Sequence, residues 1–185
     1  MEKKIQEALY HLKKPGVIAT PTETVWGLSC SALSEAQIER IYTIKNRPSN
    51  KSFIVLVDSI EMLEHYVGVI NKKQREWLLS DRPTTVIFSN IKGLPPSLLA
   101  DDHSLAFRIT GHPQIKTLIT QFGAPIVSTS ANISGSPAAQ TYEELSPAIL
   151  EAIDYALNLQ TDYTPTSTPS RIVKLNGDEV EIIRP

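Results

Sequence analysis

Three short polar segments hold more side-chain chemistry than packing requires. In the first, Lys45-Asn46-Arg47-Pro48 followed by Lys51 sets three cations within seven positions. An arginine offers a planar fork for phosphate oxygens and a lysine a point charge, so together they suit a polyphosphate. Pro48 disfavours helical backbone at Arg47, so a helix ends there and the basic side chains splay into a loop. Cations at a helix C-terminus also interact well with the helix dipole, but that role does not need three of them.

The second segment, Ser128-Thr129-Ser130-Ala131-Asn132-Ile133-Ser134-Gly135, runs from a short apolar stretch into hydroxyls and an amide. Small residues let a ligand approach the backbone, and Ser and Asn side chains can hydrogen-bond it. An ordinary Ser/Asn turn with local side-chain-to-backbone bonds is the other account. The segment is not the Gly-x-Ser-x-Gly elbow of hydrolases, nor a Walker A loop or dinucleotide fingerprint. The third, Pro21-Thr22-Glu23-Thr24-Val25-Trp26-Gly27-Leu28, puts hydroxyls and a carboxylate directly after a predicted strand. Open α/β sheets bind ligands at such strand ends. Taken alone, a simple turn explains it equally well.

Other chemistries lack their residues. Cys30 is the only cysteine, so neither an internal disulfide nor a thiolate metal cage can form. His11, His65, His103 and His112 are scattered, without the close spacing of a metal site. A magnesium ion carried in by a nucleotide would leave little trace, because one or two carboxylates plus phosphates hold it. The net charge of −2 and an aromatic content of 6% argue against a dedicated nucleic-acid binder. The basic cluster Lys72, Lys73 and Arg75 reads as a solvated helix face. No stretch has the length of a membrane span, and the N-terminus has no apolar core of a signal peptide. A soluble, reducing, cytoplasmic setting is expected.

The elements that position these segments alternate. Ile5, Ala8, Leu9 and Leu12 recur at helical spacing before Pro15-Gly16, and residues 17–20 then read as a buried strand. Residues 34–45 read as a helix with a Ser34/Gln37 capping box and an Ile38, Ile41, Ile44 stripe. Strands are predicted at 53–57, 84–88, 105–109 and 125–128. Helices are predicted at 59–66, 72–79 and 112–122, the last with Pro113 in its first turn and Gly123 past its end. Thr141 with Glu144 forms a capping box for a further helix. Residues 172–175 and 180–183 flank Asn176-Gly177, a strong hairpin signal, and the Thr, Ser and Pro of 161–170 read as a loop. The mixture predicts an α/β fold with a mixed, twisted sheet, and 185 residues fit one domain.

Taken together the three segments resemble the threonylcarbamoyl-AMP synthase family (YrdC/TsaC). That family carries Pro-Thr-Glu-Thr-x-x-Gly-Leu, Lys-x-Arg-Pro and Ser-Thr-Ser-Ala-Asn-x-Ser-Gly in this order, matched here by 21–28, 45–48 and 128–135. Weaker matches are Ser104-Leu105-Ala106-Phe107-Arg108 with His112-Pro113, and Pro169-Ser170. The resemblance implies an open α/β fold, over residues 1–185, whose twisted sheet forms a concave, positively charged cavity. It implies that L-threonine, bicarbonate and ATP give threonylcarbamoyl-AMP and pyrophosphate, with magnesium carried by ATP. A tRNA-modifying transferase complex would receive the product. By positional matching, Lys45, Arg47, Ser130 and Asn132 would be the catalytic quartet on the triphosphate. Lys51, Ser104 and Arg184 would complete the ATP site. Thr22, Arg108, Ser128 and Ser170 would contact threonine, with Arg108 aimed at its carboxylate.

The chain departs from the family where Lys51-Ser52-Phe53 replaces Lys-Pro-Leu, and where Arg82-Pro83-Thr84-Thr85 replaces Pro-Gly-Pro-x-Thr. Arg171 stands where Thr is usual. None of these touches the quartet. Two other readings stay open on sequence: a non-catalytic protein of the same fold binding double-stranded RNA or tRNA, and a paralogue activating a different substrate.

Overall fold

The computed structural model describes residues 1–46, 53–159, 166, 168–177 and 179–185. Among them nine strands form one sheet in the order β7-β1-β2-β6-β3-β5-β4-β8-β9. In chain order these are β1 (Ile18–Thr20), β2 (Gly27–Ser31), β3 (Ile54–Val57), β4 (Thr84–Phe88), β5 (Leu105–Ile109), β6 (Ile126–Ser130), β7 (Tyr155–Ala156), β8 (Arg171–Asn176) and β9 (Glu179–Arg184). β3 pairs in parallel with β5 and antiparallel with β6, and β4 pairs in parallel with β8. The sheet is therefore mixed, as the alternation of elements predicts.

Two apolar clusters cover its faces. In β3, Val55 and Val57 join one cluster and Leu56 the other, and in β6 Val127 and Ile126 divide the same way. That period of two is what a strand buried on both faces requires. Helix α1 (Glu2–Lys13) buries Ile5, Ala8, Leu9 and Leu12, and α5 (Pro113–Phe122) buries Ile115, Leu118 and Ile119, all in the Leu56 cluster. Helix α2 (Glu35–Lys45), through Ile38, Ile41 and Tyr42, packs in the Val55 cluster with Leu63 of α3 (Ile60–Val67) and Leu78 of α4 (Lys72–Leu78).

Several local expectations need correction. Ser34 makes no side-chain cap, and Gln37, the other half of the expected box, is drawn elsewhere. Its Oε1 accepts the Ser31 N–H at 3.0 Å and its Nε2 donates to the Lys14 carbonyl at 2.6 Å, tying α2 to β2 and to the end of α1. Thr141 and Glu144 do not cap a helix either, since Glu144 Oε2 accepts the Gln140 N–H. Helix α6 (Pro147–Ala152) starts later, capped by Ser146, whose hydroxyl accepts the Ile149 N–H. Strands β2 and β7 and a 3-10 turn at Pro96–Leu98 carried no signal in the sequence. β2 reads Gly-Leu-Ser-Cys-Ser, poor in β-branched residues, yet every residue is buried between β1 and β6. Neighbours on both sides make it a strand. The 161–170 loop lies mostly outside the described residues.

Candidate active site

A cavity of about 310 Å³ opens where the chain leaves β1, crosses to β2, and leaves β6. The antiparallel register sets Ser29 against Ser128 and Gly27 against Ser130. Gly27 keeps this wall open, because a Cβ there would lie 2.9 Å from Ser128 Oγ and 3.3 Å from the Thr129 carbonyl. Only a residue without a Cβ leaves the serine hydroxyl in place beside the cavity.

Two guanidinium groups reach the cavity from the other half of the sheet, Arg108 on β5 and Arg184 at the end of β9. Arg184 donates from Nε to the Ser170 carbonyl at 2.9 Å and from Nη2 to Ser170 Oγ at 3.2 Å. Ser170 Oγ lies 2.9 Å from Thr85 Oγ1, so β4 braces the contact. Burial lowers the pKa of Arg184, and the neighbouring charge of Arg108 lowers it further. The Glu23 carboxylate behind Arg108 offsets one of the two charges, and the positive charge left over favours an anion in the cavity.

A second device binds α2 to the 130–134 loop. Lys45 is 2% exposed, and its ammonium donates to the carbonyls of Ser130 and Asn132, the latter at 2.8 Å, and to Asn132 Oδ1 at 3.3 Å. Ser134 N–H returns a bond of 2.9 Å to the Lys45 carbonyl. Asn46 just past the helix takes the left-handed conformation at φ 48°, which turns the chain off the helix axis. Asn132 Nδ2 in turn donates to the carbonyls of Ile133 and Ser136. Lys45 thus holds the loop that carries the Ser-x-Asn pair. Thr22 spends its hydroxyl in its own turn: Oγ1 donates to the Val25 carbonyl at 2.7 Å and accepts the Thr24 N–H at 3.1 Å.

A family model described as telomere recombination, covering Sua5, YciO and YrdC proteins, matches residues 11–185. The chain belongs to the Sua5/YciO/YrdC family. The threonylcarbamoyl-AMP synthase of Xanthomonas euvesicatoria pv. vesicatoria (strain 85-10) is 37% identical over 161 residues, covering 85% of this chain and 86% of that protein. P. abyssi Sua5, solved in complex with L-threonine, superposes over all of this chain with a TM-score of 0.90 at 26% identity. The chain spans about half, 54%, of that structure's length. Full-length HypF in its phosphate- and nucleotide-bound form superposes with a TM-score of 0.82 at 25% identity, over 98% of this chain and 28% of its own.

Within this Sua5/YciO/YrdC domain, Thr22, Arg108, Ser128, Ser130, Ser170 and Arg184 line one cavity, although they come from five separate stretches of sequence. Lys45 and Asn132 sit beside it, joined to Ser130 through the lysine ammonium. Ser104 stands just before β5, where its N–H bonds Asp102 Oδ1 at 3.1 Å, and it is not part of the cavity lining. Arg47 and Lys51 lie outside the described residues. Sequence reasoning gave no role to Glu23, whose carboxylate is buried beside Arg108. The signal for it was a carboxylate between two threonines after a strand. Among the described residues no group of three or more His, Cys, Asp or Glu side chains could hold a metal ion.

Proposed function

We propose that the chain joins L-threonine, bicarbonate and ATP into threonylcarbamoyl-AMP, releasing pyrophosphate, to supply threonylcarbamoyladenosine formation beside the anticodon of tRNAs. The observation that carries this reading is the convergence of Arg108, Arg184, Ser128 and Ser170 on one cavity, next to the loop held by Lys45. The identity to a named synthase over most of both chains supports the reaction, and the threonine complex of the related Sua5 supports the amino acid.

The chemistry follows from charge. The threonine amine takes up the carbon of bicarbonate with loss of water, leaving an N-carboxylate. One oxygen of that carboxylate attacks the α-phosphorus of ATP, a new P–O bond forms, and the bond to the β-phosphate oxygen breaks as pyrophosphate leaves. Such transfers depend on positioning and electrostatics more than on a protein nucleophile. Arg108 receives the threonine carboxylate, with Thr22, Ser128 and Ser170 around the amino acid. Lys45, Arg47, Ser130 and Asn132 act on the triphosphate, with Lys51, Ser104 and Arg184 completing the nucleotide site and offsetting developing negative charge. ATP enters with its magnesium ion held by phosphate oxygens. Glu23, the carboxylate beside Arg108, is already engaged by Arg108 and Thr110 and adds no ligand.

Residues 1–185 act as one cytoplasmic domain that hands its product to a separate tRNA-modifying transferase complex. Two apolar clusters packed on a single sheet support one domain. Among the described residues no helix is long and apolar enough to cross a membrane. The test is pyrophosphate release from ATP by the purified protein, with threonine and bicarbonate each supplied or omitted. Release that needs both, and that fails with serine or glycine, is the expected result. Release with another amino acid or a carbamoyl compound points to a paralogue with a different substrate, and no release from folded protein overturns the reading.

A further inference from the structure

Arg108 does not enter the cavity alone. The Glu23 carboxylate lies behind it with both oxygens in use. Its Oε1 is 2.7 Å from Arg108 Nε, and its Oε2 accepts from Thr110 Oγ1 at 3.0 Å. Both charged side chains are almost fully buried, at 5% and 3% exposure. The Nε–H does not point along the line to Oε1, so the pair is a charge contact and not an aligned hydrogen bond. Arg108 and Thr110 are two residues apart along β5 and its end, so their side chains share one side of the strand and one carboxylate can span them. Thr110 Oγ1 also accepts the His112 N–H at 3.3 Å, which fixes the hydroxyl from behind. The Glu23 backbone is pinned as well, its carbonyl accepting the Thr166 N–H at 2.9 Å.

We infer that Glu23 is a positioning residue for the amino-acid substrate, holding Arg108 by its Nε side so that the Nη edge meets the substrate carboxylate. The inference rests on the function proposed above. A guanidinium has five donors in a rigid fork, and engaging it at Nε leaves Nη1 and Nη2 for a bidentate partner. Arg108 lines the cavity, so that edge is the one a carboxylate there would meet. The second part of the role is charge balance. Arg184 feels the charge of Arg108 across the cavity. Without Glu23 the two cations would face each other partly desolvated, and Arg108 would relax away from Arg184 and from the substrate position. Glu23 keeps Arg108 in place before any substrate arrives, the preorganisation that lowers the cost of binding.

The experiment is steady-state pyrophosphate release, varying L-threonine and ATP independently, in the wild-type protein, Glu23→Gln, Thr110→Val, Arg108→Lys and the double variant Glu23→Gln/Arg108→Lys. Glu23→Gln keeps the shape but removes the charge. It should raise the threonine KM about tenfold, the scale of one misplaced hydrogen bond to a charged group. The ATP KM should stay within about twofold, since Glu23 contacts Arg108 and Thr110 and none of the groups assigned to the nucleotide. Thr110→Val leaves the ion pair whole and frees only one oxygen, so it should shift the threonine KM the same way by about two- to fivefold. It also keeps the question open if Glu23→Gln fails to fold. In the double variant the two losses should not add, because Glu23 acts through Arg108. A merely structural role would lower the amount of active enzyme and leave both KM values alone. An unchanged threonine KM in Glu23→Gln and Thr110→Val, or additive losses in the double variant, overturns the inference. If the wild-type protein releases no pyrophosphate with threonine, the reading of function falls instead.

Discussion

At the scale of single residues, the site depends on groups whose neighbours are far away in sequence. Lys45 is the clearest case: a basic residue in a polar motif reads as a phosphate ligand, yet in the fold its ammonium is occupied by the carbonyls of Ser130 and Asn132. Lys45→Met should therefore do two things. It should abolish most pyrophosphate release, and it should speed amide hydrogen exchange in the 130–134 loop even without nucleotide. The Ser130 carbonyl keeps the Asn132 N–H, but the Asn132 carbonyl and Oδ1 lose their ammonium donor. Each bond lost to a charged donor costs about 1.5–3 kcal/mol, which is enough to open a short loop. Unchanged exchange in the ligand-free variant would show that the lysine does not hold the loop. Gly27 supplies a second test. In Gly27→Ala the new methyl meets Ser128 Oγ at 2.9 Å, so the hydroxyl has to rotate out of the cavity or the strand has to shift. The threonine KM should rise several-fold while the thermal midpoint moves little, and a variant with unaltered threonine kinetics would remove Ser128 from the binding set.

At the scale of elements, the helices follow local rules and tolerate local tests. Helix α4 opens with a complete capping box: Asn71 Oδ1 accepts the Gln74 N–H at 2.8 Å, and Gln74 Oε1 accepts the Asn71 N–H at 3.0 Å. Asn71→Ala should cost about 1 kcal/mol in urea unfolding, the usual worth of an N-cap. It should leave threonine and ATP kinetics unchanged, because α4 contributes nothing to the cavity lining. Helix α2 shows the limit of such rules. The Ser34/Gln37 pair has the sequence of a capping box, but Gln37 reaches Ser31 and Lys14 instead. A side chain that can close one local bond, or join two distant backbone groups of which one is buried, takes the second arrangement because a buried unmet group costs more.

At the scale of the whole molecule, one buried and one exposed titrating group predict how stability follows pH. His112 is 1% exposed, and burial holds its pKa below the ordinary 6.5, with the Glu23 carboxylate opposing in part. A lowered histidine pKa means that the unfolded chain binds the proton more readily than the fold. Stability is therefore complete above about pH 6.5 and declines as the pH drops below it. Asp102 acts in a lower window. The Ser104 hydroxyl, then the Lys174 ammonium and the Ser104 N–H, lower its pKa to about 2, so its contribution lasts until the pH falls from about 3.8 towards 2. The urea midpoint should rise between pH 5 and 7 in the wild-type protein and rise less in His112→Gln. Equal slopes would assign the effect to other groups.

The sequence by itself determined the α/β class, the positions of most helices and strands, and the final hairpin, in which Gly177 takes the expected positive φ of 61°. Those features rest on signals within a few residues: apolar spacing, turn residues, and a proline or glycine at a helix end. The sequence also picked out the three polar segments, because their side chains exceed what packing needs. Only the tertiary structure decided what each polar group does. It made Gly27–Ser31 a central strand through its two neighbours. It turned Lys45 toward the 130–132 carbonyls, and it buried Glu23 against Arg108 and Thr110, 85 and 87 positions further along the chain. Strand pairing brings such partners together, and the energy of a buried charge depends on which partner arrives, a quantity that no local pattern carries.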